Sequence, residues 1–558
     1  MNASSEPIGV GLPETPERDG AFPRLDEDQM ARMRELGTAR EVGPGDVLFA
    51  EGDETSDFFV IEEGTVAIVQ GLGAENRVIA IHGPRRFLGE LSLITGQRLY
   101  LAGVMRDRGR VLQIPLAALR EIVDDDKSLS DLILGAFIAR RSILIDVGTG
   151  IKLIGSRFSP DSRRLREFLA RNRMPYQWTD LEEDEDHEAL LTGLAIDPDE
   201  TPVVVAATGE VLRNPGTGEL GRALGLGSTG PPPSLCDVVV VGAGPAGLSA
   251  SLYAASEGLD TQTVEAIATG GQAATSARIE NYLGFPGGVS GSELTQRAGL
   301  QAIKFGARLT MPAAAVGLRS DGARHEIVLS SGEVATGRTI VIAAGAQYRR
   351  LDVPRLEEFE GGGVYYAATQ AEGQACTDDP VVIVGGGNSA GQAAMFMSRH
   401  AAQCRLLIRG DDLGRSMSRY LVDQIERRDA VEVMTNKQVV ELGGDRELES
   451  ITVADTLSGD RTELAAKALF VFIGAVPHTE WLEGQLATDR AGFLLTGREL
   501  QGEDLAEYDG DQPLFLETSR PGIFAVGDVH SGSIKRVASA VGEGSMAVRL
   551  VHQRLAAR

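Results

Sequence analysis

Cysteine is scarce in this sequence. Three residues, Cys236, Cys376 and Cys404, are scattered through 558, and no C-x-x-C occurs. A sparse, odd set excludes a disulfide framework and a thiolate zinc site, and it suits a reducing cytoplasm, where the chain is expected to reside. Apolar runs are short as well. None approaches the ~18 residues that a spanning helix needs, and the N-terminus lacks the charged-then-apolar layout of a secretory signal. Positive charge is also in deficit: 54 Lys and Arg stand against 80 Asp and Glu, a net charge of −26. That balance argues against a nucleic-acid partner, because backbone binding works by releasing counterions from a polyanion. It argues equally against an anionic membrane surface, and its plain reading is solubility.

What the sequence does contain is organised around residues 238–265, VVVVGAGPAGLSASLYAASEGLDTQTVE. A β-branched run stops at Gly242, and Gly244 and Gly247 follow at G-x-G-x-x-G spacing. An alanine-rich helical segment comes next, and the acidic Glu265 closes the unit. Gly242 permits the tight turn, Gly244 lets a pyrophosphate approach bare backbone, and Gly247 lets helix and strand pack closely. The free N–H groups at the helix start face the phosphates, and Glu265 lies at the reach of a ribose hydroxyl. A second strand and turn, VVIVGGGNSAGQAAMFMS, place Gly385, Gly387 and Ala390 at the same spacing. Two such units in one chain imply two nucleotide sites.

The length allows about three or four domains. Residues 1–22, rich in Pro, Gly, Ser and Glu, read as a disordered leader. Residues 23–148 contain short strands between glycine turns over 41–115 and then helical spacing to 146, the pattern of a small β-barrel with a trailing helix. With Gly45-Asp46, Glu51-Gly52, Gly64 and the cassette from Phe87 to Ile94, this region resembles the cyclic-nucleotide-binding domain. In that family the cassette glutamate, here Glu90, holds the ribose, and an arginine further on neutralises the cyclic phosphate. That second position falls on Leu99. Arg98 is one residue early, which on a strand turns the side chain to the other face. Cyclic-nucleotide binding is left open, against an assembly or interaction domain that kept the barrel and lost the ligand.

Residues 150–226 read as strand, helix, hairpin and closing helix, and resemble a thioredoxin- or glutaredoxin-like unit. Ser159-Pro160-Asp161-Ser162 stands where that family carries C-P-x-C, and Thr201-Pro202 matches its proline loop. Activation at a helix start needs a thiol, so the unit is expected to be redox-inactive, with Ser159 as a plain N-cap. Residues 227–234 form a Gly-then-Pro linker.

From Leu235 onward the order of motifs closely resembles low-molecular-weight thioredoxin reductases. After the first turn come Gly270-Gly271-Gln272, Asn281, the strand end Ala343-Ala344-Gly345, the second turn, and finally GIFAVGDVHSGSIKRVASAVGEG. The resemblance implies a multidomain α/β chain with two Rossmann-like units. FAD-domain pieces occupy 235–350 and 480–558, and an NAD(P)H domain at 351–479 lies between them. It implies that Gly242, Gly244, Pro245, Ala246, Gly247 and Glu265 hold the ADP part of FAD, and that Gln272, Asn281 and Asp528 hold its flavin and ribitol part. Gly271, Ala344, Gly345, Gly527, Arg536, Val537 and Ala538 are further cofactor positions. Gly385, Gly387, Asn388 and Ser389 are assigned to the nicotinamide dinucleotide. The family selects NADPH with an H-R-R-x-x-x-R cluster. Here the run is Ile408-Arg409-Gly410, with Arg415 and Arg419 downstream and no acid ending the strand, so NADPH is expected over NADH. The family is generally dimeric, which implies a homodimer.

One departure redirects the chemistry. Where a reductase of that family has C-A-T-C, this chain has Ala367-Ala368-Thr369-Gln370. Disulfide exchange needs sulfur, and Cys376 has no cysteine near it to resolve a disulfide. The expectation is an FAD-dependent NAD(P)H oxidoreductase whose acceptor, a small molecule or a protein, is not its own dithiol. Two alternatives are a redox sensor or scaffold that signals through the N-terminal units, and a cargo or assembly component. His478 reads as a turn residue. His530 reads as a surface-loop residue, with approach to the flavin ring as its alternative.

Overall fold

A computed structural model describes residue 8 and residues 11–556 apart from 54–56, 72–76, 90–98, 100, 116–117, 120–125, 148–149, 183–195, 207–208, 228–234, 277–278, 280–281, 322–323, 361, 367, 369–371, 374–375 and 446. Glu90, Arg98 and Asn281, and all of Ala367 to Gln370 except Ala368, therefore lie outside the described residues.

Two four-stranded antiparallel sheets build the N-terminal barrel. One runs Thr38–Val42, Gly109–Ile114, Phe58–Glu63, Phe87–Leu88 in spatial order, and the other Val47–Phe49, Ala102–Met105, Val66–Gln70, Arg77–His82. Residues 11–22, expected to lack order, instead cross this barrel as a strap. Thr15 exchanges hydrogen bonds with Ile81, and Ala21, Phe22 and Leu25 are buried. Composition alone missed this because a few long-range contacts, not local propensity, hold the segment.

A 21-residue helix, Lys127–Val147, follows the barrel. Leu129, Ile133, Ala136 and Phe137 form its apolar stripe and are fully buried in a cluster that also contains Leu300 of the C-terminal half. Burying Phe137 completely contributes about 2–3 kcal/mol. Arg141, one residue beyond Arg140, turns the other way and donates to the Asn172 carbonyl at 2.8 Å. The long helix thus touches three units.

In residues 150–226 the strand order is Tyr176–Asp180, Ile151–Gly155, Val203–Val205, Val211–Arg213. The first pair is parallel and the other two are antiparallel. The helix Pro160–Arg171 is capped by Ser159, whose hydroxyl accepts from the Ser162 N–H.

The C-terminal half carries a seven-stranded sheet. Its parallel centre sets Thr261–Val264 and Val334–Ile342 on either side of Cys236–Val241, and Ile523–Ala525 adds to Val334–Ile342 from far along the chain. The inserted domain has five parallel strands, Val364–Tyr365, Ala468–Val471, Pro380–Val384, Gln403–Leu407 and Val431–Met434, with a three-stranded antiparallel excursion at Lys437–Gly443, Ser450–Asp455 and Arg461–Ala465. The chain passes between the domains through a two-stranded ribbon, Ala346–Tyr348 against Ala475–Pro477.

Candidate functional site: two glycine cradles

Parallel pairing brings the carboxyl ends of three strands together, and the residues that follow each strand meet there. That crevice is where open α/β sheets bind their ligands. Gly242 follows the central strand with φ +102°, and a Cβ on it would strike the Ala343 carbonyl. A Cβ on Gly247 would strike the Gly242 carbonyl, so the helix Pro245–Ser256 packs directly against its own strand. Gly244 is the N-cap of that helix and has no side chain to satisfy the N–H groups of the first turn. Facing it, Gly271 would press a Cβ against the Gly244 Cα at 3.1 Å. Two bare backbones facing each other at a helix start fit a pyrophosphate.

Glu265 ends the neighbouring strand. Its carboxylate accepts from Ala243 N–H at 2.8 Å and Ile267 N–H at 3.0 Å. A carboxylate has about four acceptor positions, so capacity remains for ribose hydroxyls. On the far side of the crevice Gln272 donates its amide to the Ala346 carbonyl, tying the Gly270-Gly271 turn to the Ala344-Gly345 loop.

The turn Gly527–Val529 completes this end. Gly527 donates to the Glu543 carboxylate at 2.6 Å, and the same oxygen lies 3.0 Å from His530 Nε2. His530 is therefore buried, not a surface-loop residue. Glu543, on the helix Val537–Ala556, was not singled out from sequence, because its partners lie in a loop sixteen and thirteen residues earlier. Burial raises the Asp528 carboxyl above its ordinary range, against the nearby Lys535 ammonium. Lys535 itself donates to the Asp528 carbonyl at 3.1 Å and lies 4.5 Å from the Phe493 ring centre. Arg536 and Ala538 are exposed around the start of that helix, and Val537 is its first residue.

The second cradle is built alike and packed differently. A Cβ on Gly385 would strike the Phe472 carbonyl, yet one on Gly387 would meet nothing within 4 Å. Asn388 accepts from the Ser418 N–H at 2.7 Å, and Ser389 is exposed. Arg409 ends the strand Gln403–Leu407 by two residues and stands exposed, in no ion pair among the described residues. Arg415 pairs with Asp411 at 3.0 Å and Arg419 with Asp423 at 2.6 Å. His478 is exposed and donates its N–H to the Gly345 carbonyl.

The three cysteine thiols lie inside the core. All three are free and buried. Burial, then Asp379 and Glu372, push Cys376 up to about 11; burial, then Asp260, push Cys236 to about 11; burial alone pushes Cys404 to about 12. Each is a protonated core residue at neutral pH, and a protonated thiol is not the nucleophile in exchange. Among the described residues no cluster of His, Cys, Asp and Glu is placed to hold a metal, and no helix is long and apolar enough to cross a membrane.

Two dinucleotide cradles on parallel sheets, joined by one ribbon, define a two-domain nucleotide-binding oxidoreductase architecture. The sequence pattern of the pyridine nucleotide-disulphide oxidoreductase family matches residues 236–544, and that of the cyclic nucleotide-binding domain matches residues 39–126. The chain belongs to the pyridine nucleotide-disulphide oxidoreductase family and carries an N-terminal cyclic nucleotide-binding domain. It is 31% identical over 322 residues to a thioredoxin reductase of Streptomyces clavuligerus, covering 58% of this chain and 94% of that protein. Among solved structures it is similar to Lactococcus lactis thioredoxin reductase in its FR conformation, with TM-score 0.52 and 26% identity over 58% of this chain and all of that one. It is similar also to T. acidophilum thioredoxin reductase, with TM-score 0.52 and 27% identity over 57% and 99%.

Proposed function

We propose that the chain is an FAD-dependent NAD(P)H oxidoreductase that delivers electrons to an acceptor other than a cysteine pair of its own. The observation that carries this reading is the pairing of two intact cradles with three thiols that are all free and buried. When bound, the two cofactors supply hydride transfer from nicotinamide to flavin, and the protein supplies position and electrostatics. Gly244 and Gly271 leave backbone N–H groups open to the pyrophosphate, Glu265 accepts from ribose, and Asp528 accepts from the polyol chain. Glu543 fixes the turn under Asp528 through the Gly527 N–H. Arg409, exposed and in no ion pair among the described residues, favours a 2′-phosphate and hence NADPH.

The barrel and residues 150–226 serve as regulatory or docking units in this reading. Strand order and the capped helix start at Ser159 support a thioredoxin-like unit without redox chemistry. A homodimer in the reducing cytoplasm is part of the same proposal. A sensor is the second reading, favoured by the contact chain in which Arg141 meets the Asn172 carbonyl and Asn172 meets the Ile267 carbonyl, two residues from Glu265.

The test is anaerobic addition of NADPH to the flavin-loaded protein, followed by oxygen, quinones and thioredoxin disulfide in turn. We expect rapid bleaching, recovery with a non-disulfide acceptor, and the same rates within twofold in a Cys236→Ala, Cys376→Ala, Cys404→Ala variant. Loss of turnover in that variant with flavin still bound would refute the route. A spectrum that NADPH leaves unchanged would favour the sensor.

A further inference from the structure

The barrel encloses a cavity of about 70 Å³ whose walls are almost wholly apolar. Phe22, Ile68, His82, Leu88, Leu99 and Arg140 are among its lining residues. Leu99 is 3% exposed, and it stands where the family resemblance would put the phosphate-neutralising arginine. A cyclic phosphate finds no cation at that position.

The cations lie elsewhere, and the strap occupies them. Phe22 meets His82 edge-on at 5.4 Å, with the guanidinium carbons of Arg86 and Arg140 at 5.8 and 5.7 Å from its ring centre. Arg86 is 4% exposed, and its Nη1 pairs with the Glu14 carboxylate at 2.9 Å while donating to the Thr15 carbonyl. Arg140 donates to the Ala21 carbonyl at 2.6 Å. One short segment thus presents an aromatic ring and a carboxylate to two buried arginines. Among the described residues, His82 Nδ1 is buried without a hydrogen-bond partner. Burial, then the charges of Arg140 and Arg86, hold that imidazole neutral, so it offers one unused polar atom in the cavity wall.

The strap is held further by two hydrogen bonds between Thr15 and Ile81 and by Arg24, which donates to both Glu14 carboxylate oxygens at 2.8 and 2.7 Å, but its middle stands clear of the barrel. The side chains of Arg18 and Asp19 are 71% and 90% exposed. Its departure would strip Arg86 of its Glu14 counter-charge and of the Thr15 carbonyl together, a loss that a guanidinium in an apolar wall resists. Only a group with the same chemistry can take its place at low cost.

We propose that this cavity is a binding site for a small aromatic carboxylate, and that the strap is its built-in occupant, with Phe22 in the place of the ring and Glu14 in the place of the acid. Ligand entry expels the strap and hands Arg86 a replacement anion, with neutral His82 donating one hydrogen bond to the carboxylate from its Nδ1–H. The inference is independent of the electron route.

The test uses the full-length, flavin-loaded protein with phenylacetate and indole-3-acetate as probes, and cAMP as the rival aromatic anion. Limited trypsin digestion at Arg18, read by mass spectrometry, reports release of the strap. Either acid should accelerate this cut at least tenfold, and Phe22→Ala should do so without ligand. By calorimetry Phe22→Ala should bind phenylacetate at least tenfold more tightly than the parent, because its internal competitor is gone. His82→Phe should weaken that binding tenfold with an unchanged flavin spectrum. A folded Phe22→Ala protein that binds neither acid overturns the proposal. Release by cAMP alone would assign the cavity to a cyclic nucleotide and overturn the carboxylate.

Discussion

The two glycine cradles share a spacing but not a fit. In the first, the helix start is closed in by Gly271, Glu265 is fastened to the turn, and a Cβ at Gly242 or Gly247 collides with a backbone carbonyl. In the second, a Cβ at Gly385 collides with the Phe472 carbonyl as one at Gly242 does with Ala343, but Gly387 faces nothing where Gly244 faces Gly271, and Arg409 waits in solvent. Tight enclosure suits a resident cofactor, and an open lip suits one that must come and go at every turnover. The difference teaches that the same fingerprint can serve retention in one place and exchange in another.

The sharpest way to break that comparison is to add methyl groups to both cradles. Gly247→Val should separate helix from strand, at a cost of about 1–3 kcal/mol or more, and yield protein without flavin absorbance. Gly387→Ala should stay yellow and equally stable, and change only the KM for the pyridine nucleotide. If Gly387→Ala also loses flavin absorbance, the second cradle is not the open, exchanging site that this contrast makes it. Next in size is Arg409→Glu. Losing a charge-assisted contact and gaining repulsion should raise the KM for NADPH tenfold to a hundredfold, or about 1.4–2.8 kcal/mol, while KM for NADH moves less than threefold. An equal shift for both nucleotides would remove Arg409 from 2′-phosphate selection.

The smallest effect concerns Asp528. Its carboxyl is raised in the folded protein, so between the unfolded and folded values the native state keeps a proton that the unfolded chain releases. Stability from this group therefore falls as pH rises through that window, and above it the buried charge is a standing penalty. Asp528→Asn should raise the melting temperature of flavin-free protein at neutral pH, the gain vanishing once the pH drops below the carboxylate range. It should weaken flavin retention at the same time. A variant with lower melting temperature at neutral pH would show that the carboxylate is stabilising as it stands.

What could be read in advance was what repeats locally. Strand, glycine turn, helix and acid are set by backbone sterics within a few dozen residues, so both cradles and the order of units were legible. The Arg415–Asp411 and Arg419–Asp423 pairs were also within reach, each being four residues apart in sequence, and they explain why those arginines are less available than Arg409. Pairings across the fold were not legible. His530 gains its buried place from Glu543, and the strap gains its order from Arg86 and Arg140, which follow it by scores of residues. A polar, proline-bearing segment looks unstructured whenever its anchors are encoded elsewhere.

The long helix Lys127–Val147 has a practical consequence. It shares a greasy seam with Leu300, and its Ser130 hydroxyl takes a hydrogen bond from Lys304 at 2.8 Å. Severing the chain at 227–234 would strip the shield from that seam. The nucleotide-binding half is thus no interchangeable cassette. Expressed alone it should clump, and grafted behind a foreign sensor it would need this rod, or a substitute for it, to come along.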